Sequence, residues 1–431
     1  MTVEKGRSDS GGSKKTADKN TVQASLKSRL KELKRRNLKR GLQTPSGLDF
    51  SSNDYLGLGG HPIIAGHVRR RLAEDVTVGA PASRLLRGHL SMHSRLEKKW
   101  ADYKGTEASL LYPSGWQANV GLLTALVKKE DRVLSDALNH ASLIDGLRLA
   151  GCKKVIYPHL DVAGLEQELA RPWDGGHTYV LTESLYSMDG DVAPLDRYAE
   201  LCERYGAELL VDDAHATGLW GERGSGLVEH FGVVDRVLAI TSTGGKALGV
   251  SGGFVSGSKL LVDYLVNVSR SFIFSTAVSP LVVHGLEAAL DVVRSEPQRR
   301  MRLHASANRL RSHLQAAGLE TLNSEGPIVP VILGANQKAL SAAEQLQAKG
   351  FDVRAIRPPT VAPGTARLRI SVHGDHREDQ IDALADALLE ILGLQDPKSV
   401  ESVLESPEIA ASTTTSKPVS SKAVRSKTVT A

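Results

Sequence analysis

The residues with the most chemical content lie between Glu208 and Gly253, in ELLVDDAHATGLWGERGSG and then VDRVLAITSTGGKALGVSGG. Leu209–Val211 and Val237–Ile240 are apolar without alternation, the pattern of strands buried on both faces of a parallel sheet. Each run ends in polar side chains: Asp212, Asp213 and His215 after the first, Thr241 to Lys246 after the second. Open α/β sheets bind ligands outside the carboxyl ends of their strands. An acid, an imidazole, hydroxyls and one lysine are therefore expected to converge on one crevice. Lys246, among the small residues of STGGKALG, can bring its amine to a bound aldehyde and form a Schiff base. A carboxylate such as Asp212 can hold a pyridine nitrogen in its protonated form, and the two together are the protein side of pyridoxal phosphate chemistry. Either motif alone reads more readily as a strand end with a turn, or as a solvated loop lysine. Their order, each after a hydrophobic strand, carries the chemical reading. Asp213 should face the other side of the sheet, so Asp213→Asn is expected to be milder than Asp212→Asn.

The elements that must position these groups alternate regularly. Strand, turn and helix follow one another in ASLLYPSGWQANVGLLTAL, with Ser114, Gly115 and Trp116 where the helix begins. Free N–H groups at a helix start form an anion site, and a phosphate is the expected guest; a plain N-cap by Ser114 explains the same residues. RVLSD leads into a helix opening with Asn139 and His140, and KKVIYP, TYVLTES, ELLVDD, RVLAITS and GGFVSG are further strands. Repeated βα units predict an α/β fold with a mostly parallel sheet covered on both faces. This large domain should span residues 48–293. Residues 294–396 read as a smaller C-terminal α/β domain, with strands in IVPVIL, DVRAIRP and ARLRISV. Residues 22–47 form an N-terminal helical segment, whose Leu26, Leu30, Leu33 and Leu38 fall near one face and are expected to dock on the body. Residues 1–21 and 397–431 are polar, low-complexity tails expected to be disordered.

The chain has 431 residues and a net charge of +5. Residues 1–40 contribute +9 and residues 411–431 contribute +4, which leaves −8 between them. The basicity belongs to the ends, so a nucleic-acid groove is not implied. Two cysteines, Cys152 and Cys202, exclude a disulfide framework and show no metal spacing. With no apolar leader and no long apolar run, neither export nor membrane insertion is expected, and a cytoplasmic location follows.

Taken in order, NDYLGL, GHLSMHSRLE, SGWQAN, NHASLIDG, ESLYSMDGDVAPL, VDDAHATG, STGGKALGVSGG and IRPPTVAPGTARLR resemble the α-oxoamine synthases over roughly residues 25–393. These are fold-type-I pyridoxal-phosphate transferases that condense an amino acid with an acyl thioester and lose carbon dioxide. The C-terminal segment is most similar to the biotin-pathway branch, which implies L-alanine and a pimeloyl thioester. Sibling branches use glycine with an acetyl thioester or serine with a palmitoyl thioester. The resemblance implies that Lys246 forms the Schiff base, Asp212 holds the pyridine nitrogen, His215 meets the phenolic oxygen and His140 stacks on the ring. Gly115 and Trp116 match the phosphate end, and Ser187 and Thr243 match cofactor-contacting hydroxyls. Arg369 matches the group that holds the substrate carboxylate, Asn53 lies in the substrate-side motif NDYLGL, and Thr360 matches an acyl contact. Lys39 and Arg40 are both candidates for the N-terminal cation of the acyl site. Ser275 and Thr276 match phosphate contacts from a neighbouring subunit, which implies a homodimer with shared active sites. One departure stands out. Gly244 occupies the position of the family's usual aromatic residue, and this is expected to loosen packing behind Lys246.

Overall fold

The computed structural model describes residues 21–74 and 77–394. Both expected tails, apart from Thr21, lie outside the described residues. The strands are β1 Leu48–Asp49, β2 Ala108–Tyr112, β3 Arg132–Asp136, β4 Lys153–Tyr157, β5 Thr178–Glu183 and β6 Glu208–Asp212. They continue with β7 Ala239–Thr243, β8 Gly253–Gly257, β9 Ile328–Gly334, β10 Phe351–Asp352, β11 Arg354–Ile356 and β12 Ala366–Ser371. Seven of them form the main sheet in the order β2-β8-β7-β6-β5-β3-β4. All neighbouring pairs run parallel except those involving β8, which opposes both β2 and β7. The mostly parallel α/β sheet expected from the alternation is therefore present.

The apolar runs of β6 and β7 are buried on both faces, as their lack of alternation requires. Leu209, Val211 and Ile240 join one core layer, while Leu210, Ala239 and Val255 join the other. Each fully buried leucine contributes about 1.5–3 kcal/mol, so the strand ends that carry Asp212 and Thr243 rest on a stiff base. Below them the Trp100 indole stacks on Phe254, with ring centroids 3.7 Å apart, and donates from Nε1 to Ser242 Oγ at 3.2 Å.

The C-terminal unit holds a three-stranded antiparallel sheet, β11-β12-β9, covered by the helices Gln298–Ala316 and Asn336–Ala348, with Glu378–Leu392 packed on both of them. Residue pairs Leu48–Phe351 and Asp49–Asp352 join β1 to β10 in parallel, so the start of the expected large domain is tied to the C-terminal unit. A two-residue strand has no period to read, which is why the sequence did not signal this. The N-terminal helix, Val22–Arg35, differs from expectation. None of its residues is buried, and Leu26, Leu30 and Leu33 are 53%, 50% and 39% exposed. Among the described residues its apolar stripe stays largely uncovered.

Candidate active site

Asp212 ends β6 and lies in register with Glu183 at the end of β5 and Thr241 on β7. The loop after β7 carries Lys246. Together with Asn53, Gly115, Trp116, Asn119, His140, Ser142, His215 and Thr243, these residues line one cavity of about 230 Å³. Strand ends thus bring together the groups that the sequence separates by more than a hundred residues.

The Asp212 carboxylate is fixed from two sides. Ala214 N–H donates to Oδ1 at 3.0 Å, and Asn119 Nδ2 donates to Oδ2 at 2.7 Å. Asn119 also donates to Ser142 Oγ at 2.8 Å, and Ser142 Oγ lies 2.8 Å from His140 Nδ1. Ser142 N–H donates to the same Nδ1 at 3.2 Å, so that nitrogen is an acceptor and the His140 proton sits on Nε2. Burial lowers the His140 pKa, which keeps the ring neutral. Trp116 stands edge-on to it with centroids 5.9 Å apart.

His215 is held by Tyr55, whose hydroxyl lies 2.7 Å from Nδ1. Arg369 Nη2 donates to Asn53 Oδ1 and to Tyr55 Oη, each at 3.0 Å. Tyr55 Oη also lies within donating distance of Asn53 Oδ1, at 3.1 Å. With Asn53 already supplied by Arg369, the shorter contact favours giving the Tyr55 proton to His215 Nδ1, an arrangement that leaves Nε2–H as a donor for the cavity. Burial and the charges of Lys246 and Arg369 push the His215 pKa well below its ordinary value. Burial likewise lowers the Lys246 amine, against the opposing pull of Asp212 and Glu183. Glu183 is a buried acid pushed well above the usual carboxylate range by burial and by Asp212, and its Oε1 has no partner among the described residues.

The remaining expected residues fall into three groups. Thr243 Oγ1 donates to Gly252 O at 2.7 Å and accepts from Gly245 N–H at 3.1 Å, so it shapes the lysine loop as well as lining the cavity. Ser114 caps the helix Gly115–Leu126 by accepting from Gln117 N–H at 3.2 Å, and Gly115 and Trp116 begin it. Arg369 lies beside the cavity. Besides Asn53 and Tyr55 it donates from Nε to Ser187 O at 2.6 Å and from Nη1 to Ser371 Oγ at 2.7 Å. Four of the five guanidinium donors are engaged, so a bidentate hold on a carboxylate requires Arg369 to release one of them. Arg40 and Thr360 meet elsewhere. Arg40 Nη2 donates to Thr360 Oγ1 at 3.1 Å in a cleft of about 760 Å³, whose other cations are Lys34, Lys39, Arg354 and Arg357. That cleft shares no lining residue with the Lys246 cavity. Ser275 and Thr276 do not line the cavity; Ser275 Oγ accepts from Gln117 Nε2 at 3.4 Å, and Thr276 is exposed.

Two expectations change. Gly244 does not loosen the lysine loop. A Cβ there would overlap Leu286 Cδ2 and approach the Ser251 carbonyl oxygen at 2.7 Å, so a side chain of the helix Pro280–Ser295 already fills the space. Asp213 does face away from Asp212, but not toward solvent. It is fully buried and ion-paired with Lys104 Nζ at 2.8 Å, so its replacement is not a mild change for stability. Asn119, Ser142, Glu183 and Tyr55 are site residues that the motifs contained but did not single out. Asn119 lies four residues after Gly115, hence on the same helical face, and Glu183 ends the strand beside Asp212. Those two positions were the available signals.

The sequence profile described as Aminotransferase class I and II matches residues 45–388. An 8-amino-7-oxononanoate synthase of Alkalilimnicola ehrlichii is 44% identical over 346 residues, 80% of this chain and 88% of that protein. The chain belongs to the 8-amino-7-oxononanoate synthase family. The fold is shared more widely. A serine palmitoyltransferase from S. paucimobilis, solved with bound PLP–myriocin, aligns with a TM-score of 0.80 at 26% identity, covering 88% of this chain and 98% of that one. An 8-amino-7-oxononanoate synthase from Francisella tularensis aligns at 0.69 and 24% identity over 81% and 98% of the two chains. The family makes this protein an acyltransferase that uses pyridoxal phosphate. The cavity suits that cofactor. It offers one lysine, a fixed carboxylate, two neutral imidazoles, a helix start, and buried polar atoms at Asn119 Oδ1, Glu183 Oε1 and Thr241 Oγ1 that have no partner among the described residues.

Proposed function

We propose that the protein condenses L-alanine with a pimeloyl thioester, releasing carbon dioxide and the free thiol, to give 8-amino-7-oxononanoate for biotin synthesis. The observation that carries this reading is the convergence of Lys246 and Asp212 with His140 and His215 in one cavity, in a chain 44% identical to a named synthase. Pyridoxal phosphate, when bound, supplies an aldehyde carbon that takes up amines and a pyridinium that draws charge from the α-carbon of the amino acid.

The protein groups do the rest. Asp212, held by Asn119 and Ala214 N–H, keeps the proton on the ring nitrogen. His140 and His215 line the cavity and would hold the ring, His140 by stacking and His215 by donating to its oxygen, and Ser187 would add a hydroxyl. Gly115 and Trp116 at the helix start take the phosphate through backbone N–H groups, and Thr243 holds the loop that presents Lys246. Lys246, whose amine burial shifts toward its neutral form, removes the α-proton of alanine. Arg369 and Asn53 orient the substrate carboxylate. In the separate basic cleft, Arg40 and Thr360 receive the distal carboxylate of the acyl chain, free or esterified. Two surface features favour a homodimer with shared sites. Phe274, next to Ser275 and Thr276, is 73% exposed, and the leucine stripe of the N-terminal helix is uncovered. In that dimer Ser275 and Thr276 reach the partner's phosphate. No helix among the described residues is long and apolar enough to cross a membrane, and we place the enzyme in the cytoplasm.

The test is a panel of glycine, L-alanine and L-serine against acetyl, succinyl, pimeloyl and palmitoyl thioesters, following thiol release. Alanine with the pimeloyl thioester should turn over fastest. Its margin over glycine should be limited, because a one-carbon pocket discriminates by about 1–3 kcal/mol. Fastest turnover of glycine with the acetyl thioester, or of serine with the palmitoyl thioester, refutes the assignment.

A further inference from the structure

Outside the cavity, the helix Pro62–Ala73 packs on the helix Pro280–Ser295. His284 and Glu287 are one turn apart on the second helix and share a face. His67 meets them from the first. One ligand atom from each of the three residues lies within 4.8 Å of the other two. The His67 and His284 rings have centroids 5.7 Å apart. Glu287 Oε2 lies 3.1 Å from His284 Nδ1, close to the separation of about 3.4 Å that two ligands adopt on a tetrahedral ion with bonds near 2.0–2.1 Å.

One unsatisfied atom marks this cluster off from an ordinary helix contact. His67 Nε2 is buried and has no hydrogen-bond partner among the described residues, while His284 faces Glu287 through Nδ1 and would ligate through that nitrogen. A buried polar group left unmade costs about 1–3 kcal/mol, and such groups in native proteins mark a missing water, ion or functional role. Here it falls in one cluster with a second imidazole and a carboxylate. We propose that His67, His284 and Glu287 bind one divalent transition-metal ion, with zinc as the natural guest and solvent completing the tetrahedron. Two imidazoles and one carboxylate form a nitrogen-rich donor set that suits zinc, cobalt or nickel over calcium or magnesium. The surrounding charge is mixed. Arg95 Nε is 3.8 Å from Glu287 Oε1, which moderates affinity.

No metal spacing is visible in the sequence because the ligands come from two helices far apart in the chain. The site has a structural consequence. Leu286, between His284 and Glu287, fills the space at Gly244 in the lysine loop. An ion that pins this helix to Pro62–Ala73 therefore steadies the wall behind Lys246.

The experiment uses dialysed holoenzyme titrated with Co²⁺, read by its d–d absorption beyond the cofactor band, and with Zn²⁺, read as bound metal per chain after gel filtration. His67→Gln and His284→Gln are carried alongside, and retention of the cofactor band confirms that each is folded. His67 is half-buried, so its variant keeps the test informative if His284→Gln does not fold. The expected result is one ion per chain, a tetrahedral Co²⁺ spectrum, and binding weakened at least about tenfold in His67→Gln, since losing even an outer-shell partner costs that much. Chelation should lower the thermal midpoint of the parent and leave that of His67→Gln unchanged. Absence of bound metal, an octahedral spectrum, or equal binding by parent and His67→Gln would overturn the proposal.

Discussion

Replacing Asp213 by asparagine separates a buried ion pair from the chemistry one residue away. Asp213 is fully buried and Lys104 is 2% exposed. Lys104 Nζ donates to Asp213 Oδ2 at 2.8 Å, to Thr217 Oγ1 at 2.8 Å and to the Ser225 carbonyl oxygen. Asp213 Oδ1 accepts from Ser184 Oγ at 2.7 Å and from Leu227 N–H at 3.1 Å. The asparagine amide keeps one acceptor but leaves the lysine charge without a counter-charge in a site closed to water. Breaking a buried pair from one side costs about 3–5 kcal/mol. In a domain of some 250 residues this corresponds to a thermal midpoint lower by on the order of 10 °C. Differential scanning calorimetry of Asp213→Asn holoenzyme measures it, with turnover at a temperature well below the midpoint as the second readout. Activity per folded molecule should stay close to the parent value, because Asp213 does not line the cavity. Removing both charges together, in Lys104→Met with Asp213→Leu, should recover part of the loss. A midpoint within about 2 °C of the parent in Asp213→Asn would show that the pair is not held as described.

Restoring the family's aromatic by Gly244→Phe should destabilise the lysine loop by about 1–3 kcal/mol or more, because Leu286 already fills that space; Leu286→Ala in the same chain should relieve it, and equal urea midpoints for the single and double variants would refute the compensation. His159 lies between Asp136 Oδ1 and Asp191 Oδ2, each at 2.8 Å. Burial opposes its charge, but the two hydrogen-bonded carboxylates raise its pKa to about 9. Its contribution to stability should therefore be complete below the unfolded value near 6.5 and be lost as pH rises through about 9. Urea unfolding of the parent against His159→Gln between pH 6 and 10 checks the sign, and a difference that grows with pH would contradict it.

Much of the site was legible because catalytic side chains interrupt otherwise apolar strands. Asp212, His215 and Lys246 stand out against Leu209–Val211 and Val237–Ile240, and the main sheet follows from the same runs. Asn119 and Ser142 were harder to see. Their role is to link Asp212 to His140, and a hydrogen-bond chain between elements leaves no local periodicity. Glu183 sits in an apolar strand and reads as an ordinary strand end until the register places it beside Asp212. Asp213 was placed on the correct face, yet its partner Lys104 comes from a helix more than a hundred residues earlier, so its cost could not be read locally. The effect of Gly244 depended on Leu286 in the same way. The pairing of β1 with β10 joins two-residue segments from opposite ends of the chain, too short for any pattern.

Borohydride reduction followed by peptide mapping tests whether Lys246 carries the cofactor. Purified protein should be yellow, lose that colour on reduction, and yield a single pyridoxyl-modified peptide containing Lys246. Lys246→Ala should bind pyridoxal phosphate without a reducible adduct. A modified peptide centred on any other lysine, or a borohydride-fixed cofactor in Lys246→Ala, would contradict the account.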